Sequence, residues 1–353
     1  MSVCILTTDK EIFMRFARFF CAAFALALFT GCAAQTAEIP SAATAASPAV
    51  SSSQQTVRTD AELESQLDTL VGGDYTALRV FADANIQAAP EALADRMVYA
   101  LMDASRAMLN ESNDFIYGTN SAEIQKILFD AYGGSDGKMP RHICAEDKQV
   151  LQEKTKSSAE LSALQKWFNS GLCLLNAEGS YYFALDLPEY EAAYAAYTSD
   201  GLADYLHIGS TETTDPLTNE EILAVSPEEL SRRAVSYERF LAQHSTAPYA
   251  GDVRILLNVA VYKLVMPSYT DNLLDESGRV RTTMLTEYSR LAAREDCPAV
   301  QLAAQGTLES IAASPNGIVA ENGLPSDDFT ENAMQRSEQV QHKLDELYGA
   351  LEK

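Results

Sequence analysis

The chain has 353 residues and a net charge of −24, and 47% of its residues are hydrophobic. A chain of this length can bury a real core in one large or two moderate domains. So acidic a balance repels nucleic acid and anionic lipid headgroups, so neither is expected as a partner; it leaves open a surface that simply confers solubility and one that attracts cations or basic partners.

Arg15 and Arg18 precede an apolar run, Phe19–Phe29, that closes on Gly31-Cys32. The run is about 11 residues, too short for a membrane span of roughly 20. A basic front, a short apolar middle and a small residue at the end form the layout of a secretory signal peptide over residues 1–31. Asp9 and Glu11 are unwelcome ahead of such a segment, so Met14 is the expected translation start. Leu28-Phe29-Thr30-Gly31-Cys32 resembles the lipobox of bacterial lipoproteins. The resemblance implies that Cys32 carries a diacylglycerol and becomes the new N-terminus. The protein is then exported and held by lipid at the cell membrane or outer membrane, facing the periplasm or cell exterior. Two or three acyl chains anchor stably where one does not. Residues 32–59 are Ala, Ser, Thr, Gln and Pro with few bulky apolar side chains, a flexible tether reaching roughly 30 Å.

The fold class expected for the rest is mainly α, built of antiparallel helix hairpins with one small β-hairpin. In a helical region over 60–208, Leu63, Leu67 and Leu70 recur at helical spacing, as do Leu78, Phe81 and Ala82. Pro90 opens a longer helix with the stripe Leu93, Met97, Leu101, Met108. Ile124, Ile127, Leu128 and Phe129 mark another, with Asn120 and Glu123 as cap and partner. Gly133–Gly137 is a connector: it lacks the Gly-Lys-Ser/Thr ending of a phosphate loop, and no apolar strand leads into it. Ser157-Ser158-Ala159-Glu160 opens a helix carrying Leu161, Leu164 and Trp167-Phe168. Leu172–Leu175 and Tyr181–Leu185 flank a polar turn ending in Gly179, which predicts a β-hairpin near 172–186. Pro188 starts a helix with Tyr190, Tyr194 and Tyr197 on one face. Such a row is core packing, or else a platform on which sugars stack. Residues 209–219 are expected to be a loop and a subdomain boundary.

The region 220–353 suggests a repeat. Ser226-Pro227-Glu228-Glu229 combines a cap, Pro at the first helical position and a capping glutamate. The spacing predicts helices from there to Gln243, over Pro248–Met266, over Arg279–Arg294 and over Pro298–Ala313. Tyr237, Phe240 and Pro248 align with Tyr288, Leu291 and Pro298 at an offset of about 50 residues. Tyr237–Ala250 resembles the half-repeat of tetratricopeptide-like envelope lipoproteins, and Leu172–Ala313 is similar to uncharacterised bacterial lipoproteins. The resemblance implies a helical repeat whose concave face binds extended segments of other proteins, and it brings no activity with it. A closing helix is expected over Ser326–Lys353, with Phe329, Met334, Val340, Leu344, Leu347 and Leu351 inward.

Little in the chain points to catalysis or to a cofactor. No two of His142, His207, His244 and His342 lie three or four residues apart, so no helical histidine pair exists for a metal. His142-Ile143-Cys144 is a two-ligand fragment without a second pair at zinc spacing, and no metal is expected there. Asp271–Thr283 fails the calcium-loop pattern around Gly278. Glu220-Glu221, Glu228-Glu229 and Asp327-Asp328 are placed in loops and first helical turns, where they complement the helix dipole. Cys144, Cys173 and Cys297 remain after processing. Either Cys144 and Cys173 pair across a loop and the hairpin, or all three are buried thiols. The expected function is a lipid-anchored, non-enzymatic envelope protein that binds another protein; the alternative is a cell-wall glycan binder or hydrolase using Tyr190, Tyr194, Tyr197 and nearby acids.

Overall fold

Several helix starts are written locally. Thr59 accepts from the Glu62 N–H while its own N–H donates to the Glu62 carboxylate, a capping box that opens α1 (Asp60–Leu70). Asp74 caps α2 (Tyr75–Asn85), and Pro90 precedes α3 (Glu91–Ala107). Leu63, Leu67, Leu78, Phe81, Leu93, Met97 and Leu101 are buried, as their spacing predicts. The α3 stripe does not reach Met108. There the chain leaves helical register, and a second helix, α4 (Leu109–Tyr117), begins. α5 follows at Ser121–Tyr132.

The computed structural model describes residues 59–118, 121–132, 142–144, 158–177, 179–219, 221–314, 317–319 and 325–349. The signal-like segment, Cys32, the tether, Asn120 and the Gly133–Gly137 connector lie outside the described residues.

β1 (His142–Ile143), β2 (Leu172–Ala177) and β3 (Ser180–Leu185) form an antiparallel sheet in that order, with Leu172 opposite Leu185 and His142 opposite Leu175. The β2–β3 hairpin is the one expected from the sequence; β1 is an addition two residues long. Leu172, Leu174, Tyr181 and Phe183 face the main core, where Trp167 and Phe168 of α6 (Ser158–Phe168) meet Phe183 edge-on. Cys173, Leu175 and Ala184 form a small separate cluster with Tyr182 on the other face. The outer edge of β3 is closed by side-chain amides. Asn113 of α4 exchanges hydrogen bonds with the Phe183 backbone, and Gln125 of α5 does the same at Tyr181. Gly171 turns the chain into β2 with φ +72°; a Cβ there would sit 2.5 Å from the hydroxyls of both Tyr75 and Tyr190.

Asp186 caps α7 (Leu187–Tyr194), which tightens into a 3-10 turn over Ala195–Tyr197. α8 (Asp200–Thr214) then runs through most of the segment expected to be a loop. Six residues of that segment, Gly209–Thr214, are helical because tertiary packing overrides their weak propensity. Gly209 lets α8 lie against Leu187, where a Cβ would come within 2.4 Å of the leucine side chain. A short ladder, β4 (Thr218–Asn219) with β5 (Ile222–Leu223), follows. The expected subdomain boundary therefore falls inside continuous structure, and Arg58–Lys353 is one unit.

Ser226 and Pro227 start α9 (Pro227–His244) as predicted. Tyr249, at φ 63°, turns the chain into α10 (Ala250–Val265), so that helix begins two residues after Pro248. α11 (Thr282–Ala292) and α12 (Pro298–Ala313) form the next hairpin, and α13 (Asp327–Tyr348) closes the chain. α9 packs on α10 and α11, α12 on α10 and α11, and α13 on α12 and α10. Successive hairpins are thus laid side by side, with Tyr237 and Tyr288, and Phe240 and Leu291, buried at matching places. In α13, Phe329, Val340 and Leu344 are buried as expected, but Met334 and Leu347 are exposed and Ala333 takes the inward position. Among the described residues the fold is mainly α, with a small three-stranded antiparallel sheet and a two-stranded ladder. No helix among the described residues is long and apolar enough to cross a membrane.

Candidate functional site

Arg232, Ser236, Arg239 and Gln243 recur every three or four residues along α9, which sets them on one face. With α8, and with Arg290 and Arg294 at and beyond the end of α11, that face lines an open cleft of about 700 Å³. Four arginines and three carboxylates (Asp204, Glu228, Glu287) line it, a concentration of guanidiniums in a chain of net charge −24. Arg239 and Arg294 both donate to Asp296 at 2.8 Å, Arg290 to Glu287 at 2.6 Å and Arg232 to Glu229 at 2.6 Å. The Arg232 hydrogen bonds, helped by Arg233, hold the Glu229 carboxyl down at about 2, and Arg294 and Arg239 hold Asp296 well below the ordinary carboxylate range. Glu229 and Asp296 are therefore ionised at neutral pH, and the guanidiniums they hold are aligned in advance. Each guanidinium has five donors, more than these contacts use, so the row can receive further carboxylates at modest ordering cost.

Behind the cleft lies a buried ion network. Arg233, 2% exposed, reaches Glu212 at 2.6 Å, Glu229 at 2.6 Å and Asp215 at 2.7 Å. Tyr237 also donates to Glu212, and burial pushes its hydroxyl far above the ordinary range. This cluster ties the C-terminal end of α8 to the start of α9 and so fixes the cleft walls. Sequence reasoning missed it: Glu229 at i−4 of Arg233 was a visible partner, but Glu212 and Asp215 fell in the expected loop.

The tyrosine row is core, which corrects its candidacy as a binding face. Tyr190 and Tyr194 are 2% and 3% exposed; only Tyr197, displaced by the 3-10 turn, is open to solvent. Tyr190 shares a buried hydrogen-bond network with Ser105 and Tyr75, and Tyr194 donates to Asp83. Desolvation raises all three tyrosine hydroxyls of this group, Tyr75, Tyr190 and Tyr194. No flat aromatic surface is left there for a sugar, and the glycan-binding alternative loses the residues on which it stood.

No family model, curated protein or solved structure matches this chain. Function must therefore be argued from its own residues.

Of the two alternatives for Cys144 and Cys173, the structure has both as free thiols. The Cys173 thiol is committed elsewhere, donating to the Leu185 carbonyl at 3.5 Å. The fold brings partners to the His142-Ile143-Cys144 fragment that linear spacing hid. Single ligand atoms of His142, Cys173 and Asp186 lie within 4.8 Å of one another. Of the other histidines, His207 pairs with Glu191 at 2.7 Å and His244 packs on Phe240. Asp271, from the segment that fails the calcium pattern, is held by Lys263, Ser268 and the Leu223 N–H. Glu228-Glu229 and Asp327-Asp328 occupy first helical turns, as their dipole role requires.

Proposed function

We propose that the protein is a lipid-anchored, exported envelope component that captures an acidic, extended segment of another envelope protein in the α8–α9–α11 cleft. The observation that carries this reading is the row Arg232, Arg239, Arg290 and Arg294, gathered in one cleft of an otherwise strongly acidic molecule. Complementary charge steers encounter and rejects the wrong partners, and guanidiniums suit carboxylates in a bidentate geometry. Side-by-side helix hairpins are an architecture that presents such a groove, as the resemblance to tetratricopeptide-like lipoproteins implies. The anchor rests on the Arg15–Cys32 layout.

Two variants test the halves of this reading in one fractionation experiment. Cys32→Ala should move the protein from the membrane to the soluble fraction; a protein that stays in the membrane fraction contradicts the lipid anchor. Arg239→Gln with Arg290→Gln should keep the anchor and the fold, since exposed ion pairs contribute about 0.2–1 kcal/mol each. The pair should reduce partner recovery at least about tenfold and flatten its salt dependence. Undiminished recovery from the double variant contradicts the cleft assignment.

A further inference from the structure

Strand alternation collects three metal-ligating side chains on one face of the small sheet. His142 stands opposite Leu175, and Cys173 opposite Ala184. Directly paired residues share a face, as do residues two apart on one strand. His142, Cys173, Leu175 and Ala184 are therefore on the same side, away from the main core. The β2–β3 ladder continues one step through the Asp186 N–H to the Gly171 carbonyl at 3.0 Å, which puts Asp186, two residues past Ala184, on that side too.

We propose that His142, Cys173 and Asp186 form a three-ligand site, with a fourth position open, for a borderline-soft divalent transition metal, zinc foremost. Thiolate, imidazole and carboxylate together favour zinc over magnesium or calcium. Cys173 is fully buried and Asp186 is 2% exposed, so the cluster is not a solvated acidic patch. His142 Nε2 and Asp186 Oδ1 are 3.3 Å apart. Two ligand bonds of about 2.0–2.1 Å at the tetrahedral angle set their donor atoms about that far apart, whereas a charge-assisted hydrogen bond would close to about 2.7–2.9 Å. Asp186 also accepts from the Glu189 N–H at 3.3 Å, the kind of outer contact that orients a ligating carboxylate. In the metal-free fold the Cys173 thiol donates to the Leu185 carbonyl at 3.5 Å. Metal binding displaces that thiol proton, and the dication offsets the charge left on the buried thiolate and carboxylate. A bound ion would tie β1 to β2 and to the start of α7.

The test is anaerobic titration of the intact protein in detergent with cobalt(II), followed by displacement with zinc. The thiolate-to-cobalt charge-transfer band should saturate at one equivalent and vanish when zinc is added. It should be abolished in Cys173→Ser and be unchanged in Cys297→Ser. His142→Ala, at a half-buried edge position where folding is safe, should weaken binding at least about tenfold. No band in the natural protein, a band that survives Cys173→Ser, or full affinity in His142→Ala would overturn the site. So would a Cys144–Cys173 disulfide found by mass in protein isolated without reductant.

Discussion

Replacing Arg233 by methionine should lower the unfolding free energy by about 1–3 kcal/mol, because it leaves the partly buried Glu212 and Glu229 without their enclosed cation. Arg233 is almost completely enclosed, and Glu212, one of its partners, has a side chain only 13% exposed. Methionine keeps the stem's apolar contacts, so the loss reports on charge more than on volume. Denaturant titration should show a lower midpoint at unchanged slope. Adding Glu212→Gln to Arg233→Met should recover more than 1 kcal/mol, since it removes the orphaned charge while still offering an oxygen to Tyr237. Equal losses in the single and double variants would mean that the network is not coupled as its geometry indicates. The sign of the pH dependence also follows. Glu229 titrates near 2 in the fold against an ordinary 4.5. Its contribution is therefore present above about pH 4.5 and lost as pH falls towards 2.

Glu238→Ala should cost about 3 kcal/mol. Cys297 gives α12 no side-chain cap, and Pro298 has no N–H to offer or to satisfy. The next two donors, the Ala299 and Val300 N–H groups, bond to the Glu238 carboxylate at 2.7 and 2.8 Å. A fully buried glutamate from one hairpin thus caps the helix of the next and meets the positive end of its dipole. Tyr348 of α13 donates to the same carboxylate, so three elements depend on it. Burial outweighs these donors and raises the Glu238 carboxyl above its ordinary 4.5. The folded chain then holds this proton more tightly than the unfolded chain does. Stability from this group is highest below pH 4.5 and declines as pH rises through its raised value, opposite in sign to Glu229. Glu238→Gln should remove that slope while retaining one acceptor, with a loss smaller than that of alanine. An alanine variant within 0.5 kcal/mol of the natural protein would mean that water satisfies the two amides as well as Glu238 does.

What the sequence made legible was local. The cap at Ser226 and the turn at Gly179 act within a few residues, and the structure contains both. The Pro298–Ala313 helix matches its predicted ends because proline opens it and a serine follows its last turn. What failed depended on distant neighbours. Gly209–Thr214 looks like a loop by composition, yet Leu187 and Arg233 hold it in α8. Tyr197 shares helical spacing with Tyr190 and Tyr194 but leaves their face because the helix tightens. The cleft joins residues of three helices, and the sulfur–imidazole–carboxylate cluster joins three strands or strand ends, so neither has a local motif. Arg232, Arg239, Arg290 and Arg294 were unremarked in the sequence, where each sits beside ordinary acids.

The central claim, that the arginine-lined cleft receives an acidic segment of another protein, is tested most directly by a photo-crosslinking side chain at Gln243. This position is exposed and lines the cleft. Glu338, exposed on α13, serves as the control position. In intact cells, illumination should give one discrete protein adduct from position 243 and none from 338. The adduct should disappear when Arg239 and Arg290 are changed to glutamine, and the crosslinked peptide should be rich in Asp and Glu. Absence of an adduct at 243, or an equal yield in the arginine variant, would contradict the assignment of the cleft.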